Sequence, residues 1–125
     1  MSTDRKFFIL GAVFAALGVA AGAFGTHALE GQLSEDLVNI FETGARYQLI
    51  HALALLATAW ASTRWSEKHT AIAGWAFVVG ILIFSGSLYA LSLSNVRVLG
   101  AITPIGGAAF IVGWLMLAWA AWKHR

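Results

Sequence analysis

The sequence predicts an all-α membrane protein, a bundle of four transmembrane helices with an amphipathic interfacial helix between helices 1 and 2. Three observations predict it. The 125 residues are 59% hydrophobic and only 11% charged, against about 25% charged in ordinary soluble domains, so charge cannot cover a globular surface. The mean hydropathy is +0.76. The apolar residues come in runs of about twenty, the length that crosses roughly 30 Å of hydrocarbon. Residues 1–125 therefore read as one integral membrane domain.

The first span covers 7–28, directly after Arg5 and Lys6. Its Ala21-Gly22-Ala23 has the small-x-small form of a signal cleavage site, but the run is longer than a signal h-region, so it is expected to stay as a helix. Residues 30–44 form the one long polar connection. Within them Ser34 can cap a helix whose first turn carries Glu35 and Asp36, where the helix dipole favours anions. Leu37, Ile40, Phe41 and Gly44 share one face and Glu35, Asn39, Glu42 and Arg46 the other, which predicts an amphipathic helix over 34–45 lying at the membrane interface. Glu42 and Arg46 are spaced for an i,i+4 ion pair.

The second span covers 47–63 and the third 70–91, with 64–69 as a short turn. The fourth covers 103–122, opening on Thr103 as N-cap and Pro104 in the first turn; alternatively it starts nearer Val98 and is kinked by the proline. Four spans put Arg5, Lys6, Arg64, Lys68, Lys123 and Arg125 on one side, and only Arg46 and Arg97 on the other. The positive-inside rule then predicts a multi-pass protein of the bacterial inner (plasma) membrane with cytoplasmic N- and C-termini. Trp60, Trp65, Trp75, Trp119 and Trp122 fall towards the same side, as an aromatic belt does.

Without cysteine there is no disulfide or thiolate chemistry. The charge of +2 and pI of about 9.4 do not point to nucleic acid, because the basic residues sit at segment ends as topology signals. Small residues let membrane helices approach closely, and Gly18, Gly22, Gly25, Gly86, Gly106, Gly107 and Gly113 are expected to pack helices. The Gly18–Gly22 pair serves either a dimer face or contacts within the chain.

Ionisable and polar groups at membrane depth are costly and usually face partners. An up-down path gathers His27, Glu42, Arg46, Tyr47, Gln48, His51, Tyr89 and Arg97 at the outer end. Three readings compete for this cluster. In the first it is structural, its histidines neutral and bonded to neighbouring helices. In the second it binds a small ligand or relays protons through His51, His27 and Glu42. In the third His27 and His51 ligate a metal or haem, although nothing in their spacing demands it. No metalloprotease, serine-hydrolase or phosphate-loop motif occurs, and Trp114 reads as packing.

Gly22-Ala23-Phe24-Gly25-Thr26-His27-Ala28-Leu29, then Glu42 with Tyr47-Gln48 and His51-Ala52-Leu53-Ala54, resemble the first two motifs of a small bacterial membrane family. Phe84-Ser85-Gly86-Ser87-Leu88-Tyr89, Thr103-Pro104-Ile105-Gly106-Gly107 and Gly113-Trp114 resemble the remaining two. The family is that of the inner-membrane protein YgdD, domain of unknown function four hundred and twenty-three, with small eukaryotic transmembrane relatives. The resemblance spans nearly the whole chain and implies a four-span inner-membrane protein with no assigned activity. Thr26 departs from the family, which more usually has alanine there, and its hydroxyl is placed to bond His27.

The expectation is a non-enzymatic accessory or scaffold membrane protein without metal or cofactor. Its partners would be the lipid bilayer and a homo-oligomer or larger membrane complex. The alternative is a small transporter or proton-coupled carrier using the outer-end cluster.

Overall fold

A computed structural model of the chain describes residues 1–123. His124, and Arg125 with its place in the basic count, lie outside the described residues. Among the described residues four helices make up the fold: α1, Thr3–Leu29; α2, Glu35–Ser62; α3, Glu67–Ser94; and α4, Arg97–Lys123. Of these, α1, α3 and α4 are long and apolar enough to cross a membrane.

The starts and stops follow local chemistry. α1 ends at a turn in which Gly31 takes φ +83°, a left-handed conformation that glycine adopts without strain. Ser34 caps α2 as its sequence suggests, accepting the Leu37 N–H at 3.2 Å. Ser66 does the same for the His69 N–H at 3.4 Å, so α3 begins at Glu67 rather than at residue 70. Asn95, at φ 58°, closes α3 in the left-handed conformation.

Two expectations are corrected here. The amphipathic segment 34–45 is not a separate interfacial helix, because it runs without a break into the apolar segment as the single 28-residue α2. Nothing at Ala45-Arg46-Tyr47 breaks a helix, so the two segments share one axis. Thr103 is not a free N-cap either: its hydroxyl pairs with Ser87 Oγ at 2.6 Å across to α3. α4 instead opens with a 3₁₀ turn over Arg97–Ala101 before its α-helical part, Thr103–Lys123.

The helices run up and down. Thr3 at the start of α1 donates to Glu67 at the start of α3, while Arg97 at the start of α4 pairs with Asp36 at the start of α2, 2.9 Å apart. α1 lies along α2, α4 lies along α3, and α2 meets α3 between them. The core is small and aromatic, built around Phe7, Leu55, Phe77, Ile81 and Phe110. Phenylalanine rings sit against glycines at three α3 contacts, Phe7 on Gly74, Phe110 on Gly80 and Phe77 on Gly113, while Gly106 lies against the Phe84 main chain.

On the α1 side, Gly11, Gly18 and Gly25, spaced by seven, receive Leu55, Leu49 and Phe41 of α2. Gly18 and Gly22 thus face α2 of the same chain, Gly22 more loosely, with the nearest atom to an added Cβ being that of Ala45 at 3.6 Å. Gly107 makes only ordinary contact with the Phe84 ring. Gly86 departs from its expected role: a Cβ there would meet nothing within 4 Å, so it packs against no helix.

The outer surface is as apolar as the interior. Val13, Leu17, Leu53, Leu82, Ile111 and Leu115 all face outward, which a water-facing monomer of this size does not tolerate as a continuous surface. At the basic end cations cover the tryptophan rings: Lys6 over Trp75, Arg64 over Trp60 and Lys123 over Trp119, each at 5.5 to 5.7 Å.

Candidate functional site

Of the polar side chains that the fold buries, the two largest, Gln48 and His51, stand on α2. Gly44, Gln48 and His51 follow one another at helical spacing on its inward face, and each is bonded to a different neighbour. Ser85 Oγ of α3 donates to the Gly44 carbonyl at 2.7 Å. That serine stands in a π-helical turn, Ile81–Ser85, where the α-helical register is interrupted. A second π turn, Ala20–Gly25, interrupts α1 at comparable depth.

Gln48 is 5% exposed and ties three helices together. Its Nε2 donates to the Phe14 carbonyl of α1 at 2.9 Å, and its Oε1 accepts the Tyr89 hydroxyl of α3 at 2.7 Å. A carbonyl only accepts, which fixes the orientation of the amide. Gln48 and Tyr89 form the polar floor of a cleft of about 240 Å³ between α1 and α3, whose walls include Phe14, Leu17, Ile81 and Gly86. α1 and α3 meet at the basic end, where Phe7 fills the notch at Gly74.

His51, 4% exposed, lies on the α4 side of the same face. Trp114 Nε1–H donates to His51 Nε2 at 3.0 Å. An indole has no acceptor, so Nε2 is the accepting nitrogen and Nδ1 carries the hydrogen, which it donates to the Tyr47 carbonyl at 2.8 Å. Both ring nitrogens are satisfied in the neutral tautomer. The ring itself lies parallel to Phe110, with centroids 3.5 Å apart.

The expected outer-end cluster is therefore divided. Gln48 and Tyr89 come together, while His51 turns inward separately towards α4, with Tyr47 contributing its backbone carbonyl to it and packing its ring on Phe84. His27 does not join them: its side chain is 84% exposed and 3.8 Å from Glu30. With His27 outside and His51 Nε2 occupied by Trp114, the two histidines do not form a shared ligand pair in this geometry. Arg97 sits at the surface with Asp36 and Asn95. Among the described residues the ion pairs are these two, Arg97–Asp36 and His27–Glu30, so the Glu42–Arg46 pair does not form. Glu42 instead borders a polar hollow with Glu30 and Glu35.

Trp114 is the functional partner that the sequence reading passes over, since an indole within an apolar helix gives no sign of its bond. Thr26 Oγ1 is buried without a partner and does not bond His27.

The model of a protein family described as of unknown function, DUF423, matches residues 21–107. The chain belongs to the DUF423 family. It is 45% identical to the UPF0382 membrane protein YwdK of Bacillus subtilis, over 96% of this chain and 98% of that protein. It is 50% identical to a UPF0382 membrane protein of Staphylococcus epidermidis, over 95% and 97%. No solved structure matches. The DUF423 match contains the whole Gln48–Tyr89 floor and His51, and stops before Trp114.

The Gln48–Tyr89 bond is directly testable. Tyr89→Phe leaves a buried amide oxygen without a donor and is expected to destabilise the protein by about 1 kcal/mol, near the middle of the range for bonds between membrane helices. In a Gln48→Leu background the same change should have almost no effect. Unfolding in mixed micelles checks both; equal losses in the two backgrounds would dismiss the bond as a stabilising contact.

Proposed function

We propose that this DUF423 protein is a non-enzymatic accessory or scaffold element of the bacterial inner membrane, spanning it four times with both termini in the cytoplasm. One observation carries the reading: the bundle's buried histidine and glutamine are bound within the chain, His51 by Trp114 and the Tyr47 carbonyl, Gln48 by Tyr89 and the Phe14 carbonyl. Groups tied in this way fix the positions of helices and hold no free nucleophile or base at the centre.

The fourth span is α2. Its 28 residues reach about 42 Å at 1.5 Å each, longer than the roughly 30 Å hydrocarbon core, so its charged first turns stand in the outer headgroup layer. The Thr3–Glu67 end carries Arg5, Lys6, Arg64 and Lys68, which favours that end as cytoplasmic. A proton carrier would need His51 to exchange with His27 or Glu42, and His27 faces outward. Because the glycine notches are filled from within the chain, a partner or second copy would dock on outward side chains such as Leu115 and Trp119 of α4 instead of on Gly18 and Gly22.

Native mass spectrometry after gentle extraction, combined with flux measurements in liposomes, tests the proposal. A second protein or a second copy bound to the chain is expected, with no pH-dependent flux. A bare monomer whose liposomes show a proton-coupled flux abolished in His51→Asn would replace this reading with the carrier.

A further inference from the structure

A groove of about 420 Å³ opens at the basic end between the first turns of α1 and the last turns of α2. α1 supplies Asp4 and Arg5, and one turn deeper Phe8 and Ile9; α2 faces them with Leu56 and, nearer the mouth, Trp60 and Thr63. Polarity is therefore graded along the groove, with an acid, a base and a hydroxyl at the mouth and hydrocarbon below. A phospholipid standing in its leaflet has the same gradient. Trp60, exposed at the edge, occupies the depth that tryptophan prefers at a membrane interface.

We propose that this groove binds one phospholipid whose headgroup is zwitterionic and carries an ammonium N–H, that is, a phosphatidylethanolamine. The mouth offers one cation and one anion side by side. The Arg5 guanidinium suits a phosphate, to which it donates in a fork, and the Asp4 carboxylate accepts from the ammonium. A purely anionic headgroup brings Asp4 no donor and is repelled by it. A choline headgroup has no N–H to donate. Of the neighbouring cations, Lys6 lies over Trp75 and Arg64 over the Trp60 ring at the rim; neither is among the side chains that line the groove.

The inference rests on α1 and α2 both crossing the bilayer, which puts the mouth at headgroup depth. Labelling of a Thr63→Cys variant by a membrane-impermeant maleimide checks that arrangement separately from the lipid readout.

The test uses the full chain reconstituted in vesicles containing equal amounts of phosphatidylethanolamine, phosphatidylglycerol and phosphatidylcholine with identical acyl chains. The chain is then extracted gently and weighed by native mass spectrometry. One retained lipid per chain is expected, with phosphatidylethanolamine favoured about fivefold, the scale of a partly screened charge-assisted hydrogen bond. Arg5→Gln should lose all three lipids. Asp4→Asn should keep a lipid but retain phosphatidylethanolamine and phosphatidylglycerol equally. Lys68→Gln, at the same end but outside the groove, should match the unmodified chain. All three substitutions lie outside the core, and helical circular dichroism verifies that the fold persists. Equal or greater retention of phosphatidylglycerol by the unmodified chain, no retained lipid, or a loss in Lys68→Gln equal to that in Arg5→Gln would overturn the proposal.

Discussion

Gly106→Ala is expected to destabilise the bundle by about 3 kcal/mol, the upper part of the range for overpacking a closed interface, while the same change at adjacent Gly107 leaves stability almost unaltered. A Cβ on Gly106 would lie 2.4 Å from the Phe84 backbone nitrogen and 2.8 Å from its Cα. These are main-chain atoms of α3, so no rotamer change relieves the clash and α4 must move away. That movement also draws Phe110 out of the Gly80 notch and Phe77 away from Gly113, so one methyl group opens the whole α3–α4 seam. At Gly107 the nearest atoms are the far edge of the Phe84 ring, 3.8 and 3.9 Å away. Alanine fits there in ordinary contact with the ring and displaces neither helix. Unfolding of the two variants in mixed micelles, followed by circular dichroism, measures both. Equal shifts would mean that the close approach of α3 and α4 is not what holds the seam.

This contrast shows where the sequence is legible. Helical character and the Ser34 cap each depend on residues close together in the chain, and the structure shows three helices long and apolar enough to cross a membrane and the cap bond at Ser34. The small-residue stripes were also visible, but which phenylalanine enters which glycine depends on the rotation of each helix about its axis. Two π turns, Ala20–Gly25 and Ile81–Ser85, alter that rotation midway, and nothing in their composition announces them. Gly86 belongs to the same class: by spacing it resembles the packing glycines, yet it borders the cleft beside Tyr89.

The polar cluster was read from helix ends that converge. In the structure the deeper residues Gln48, His51 and Tyr89 do turn inward, because water cannot reach them there and partners can. His27 and Arg46 turn outward, His27 beside Glu30 at the end of α1 and Arg46 on the exposed face of α2. The joined α2 is legible in the sequence. Between Gly44 and Leu56 there is no proline and no second glycine, so helix propensity runs straight from the amphipathic segment into the apolar one.

Trp114→Phe is expected to cost about 2 kcal/mol, the second large effect, and it separates the role of His51 as a lock from a role as a relay. The substitution keeps an aromatic ring against Phe77, which Trp114 meets edge-on at 5.0 Å, but removes the N–H that donates to His51 Nε2. A buried acceptor left unpaired costs about 1–3 kcal/mol, and at 4% exposure His51 is closed off from a replacement donor. If the bond is the cause, the loss should shrink by about 1 kcal/mol when Trp114→Phe is made in a His51→Leu background, where no acceptor remains. Nitrogen NMR of the labelled imidazole provides a second readout. The unmodified protein should show a single Nδ1–H tautomer, because the Tyr47 carbonyl demands that hydrogen, and Trp114→Phe should leave Nε2 shifted towards the value of an unbonded acceptor. A mixture of tautomers in the unmodified protein, together with zero coupling between the two positions, would dissolve the lock. It would return His51 to the list of groups free to exchange a proton, and the ring stacked on Phe110 would then need another reason to be buried between α2 and α4.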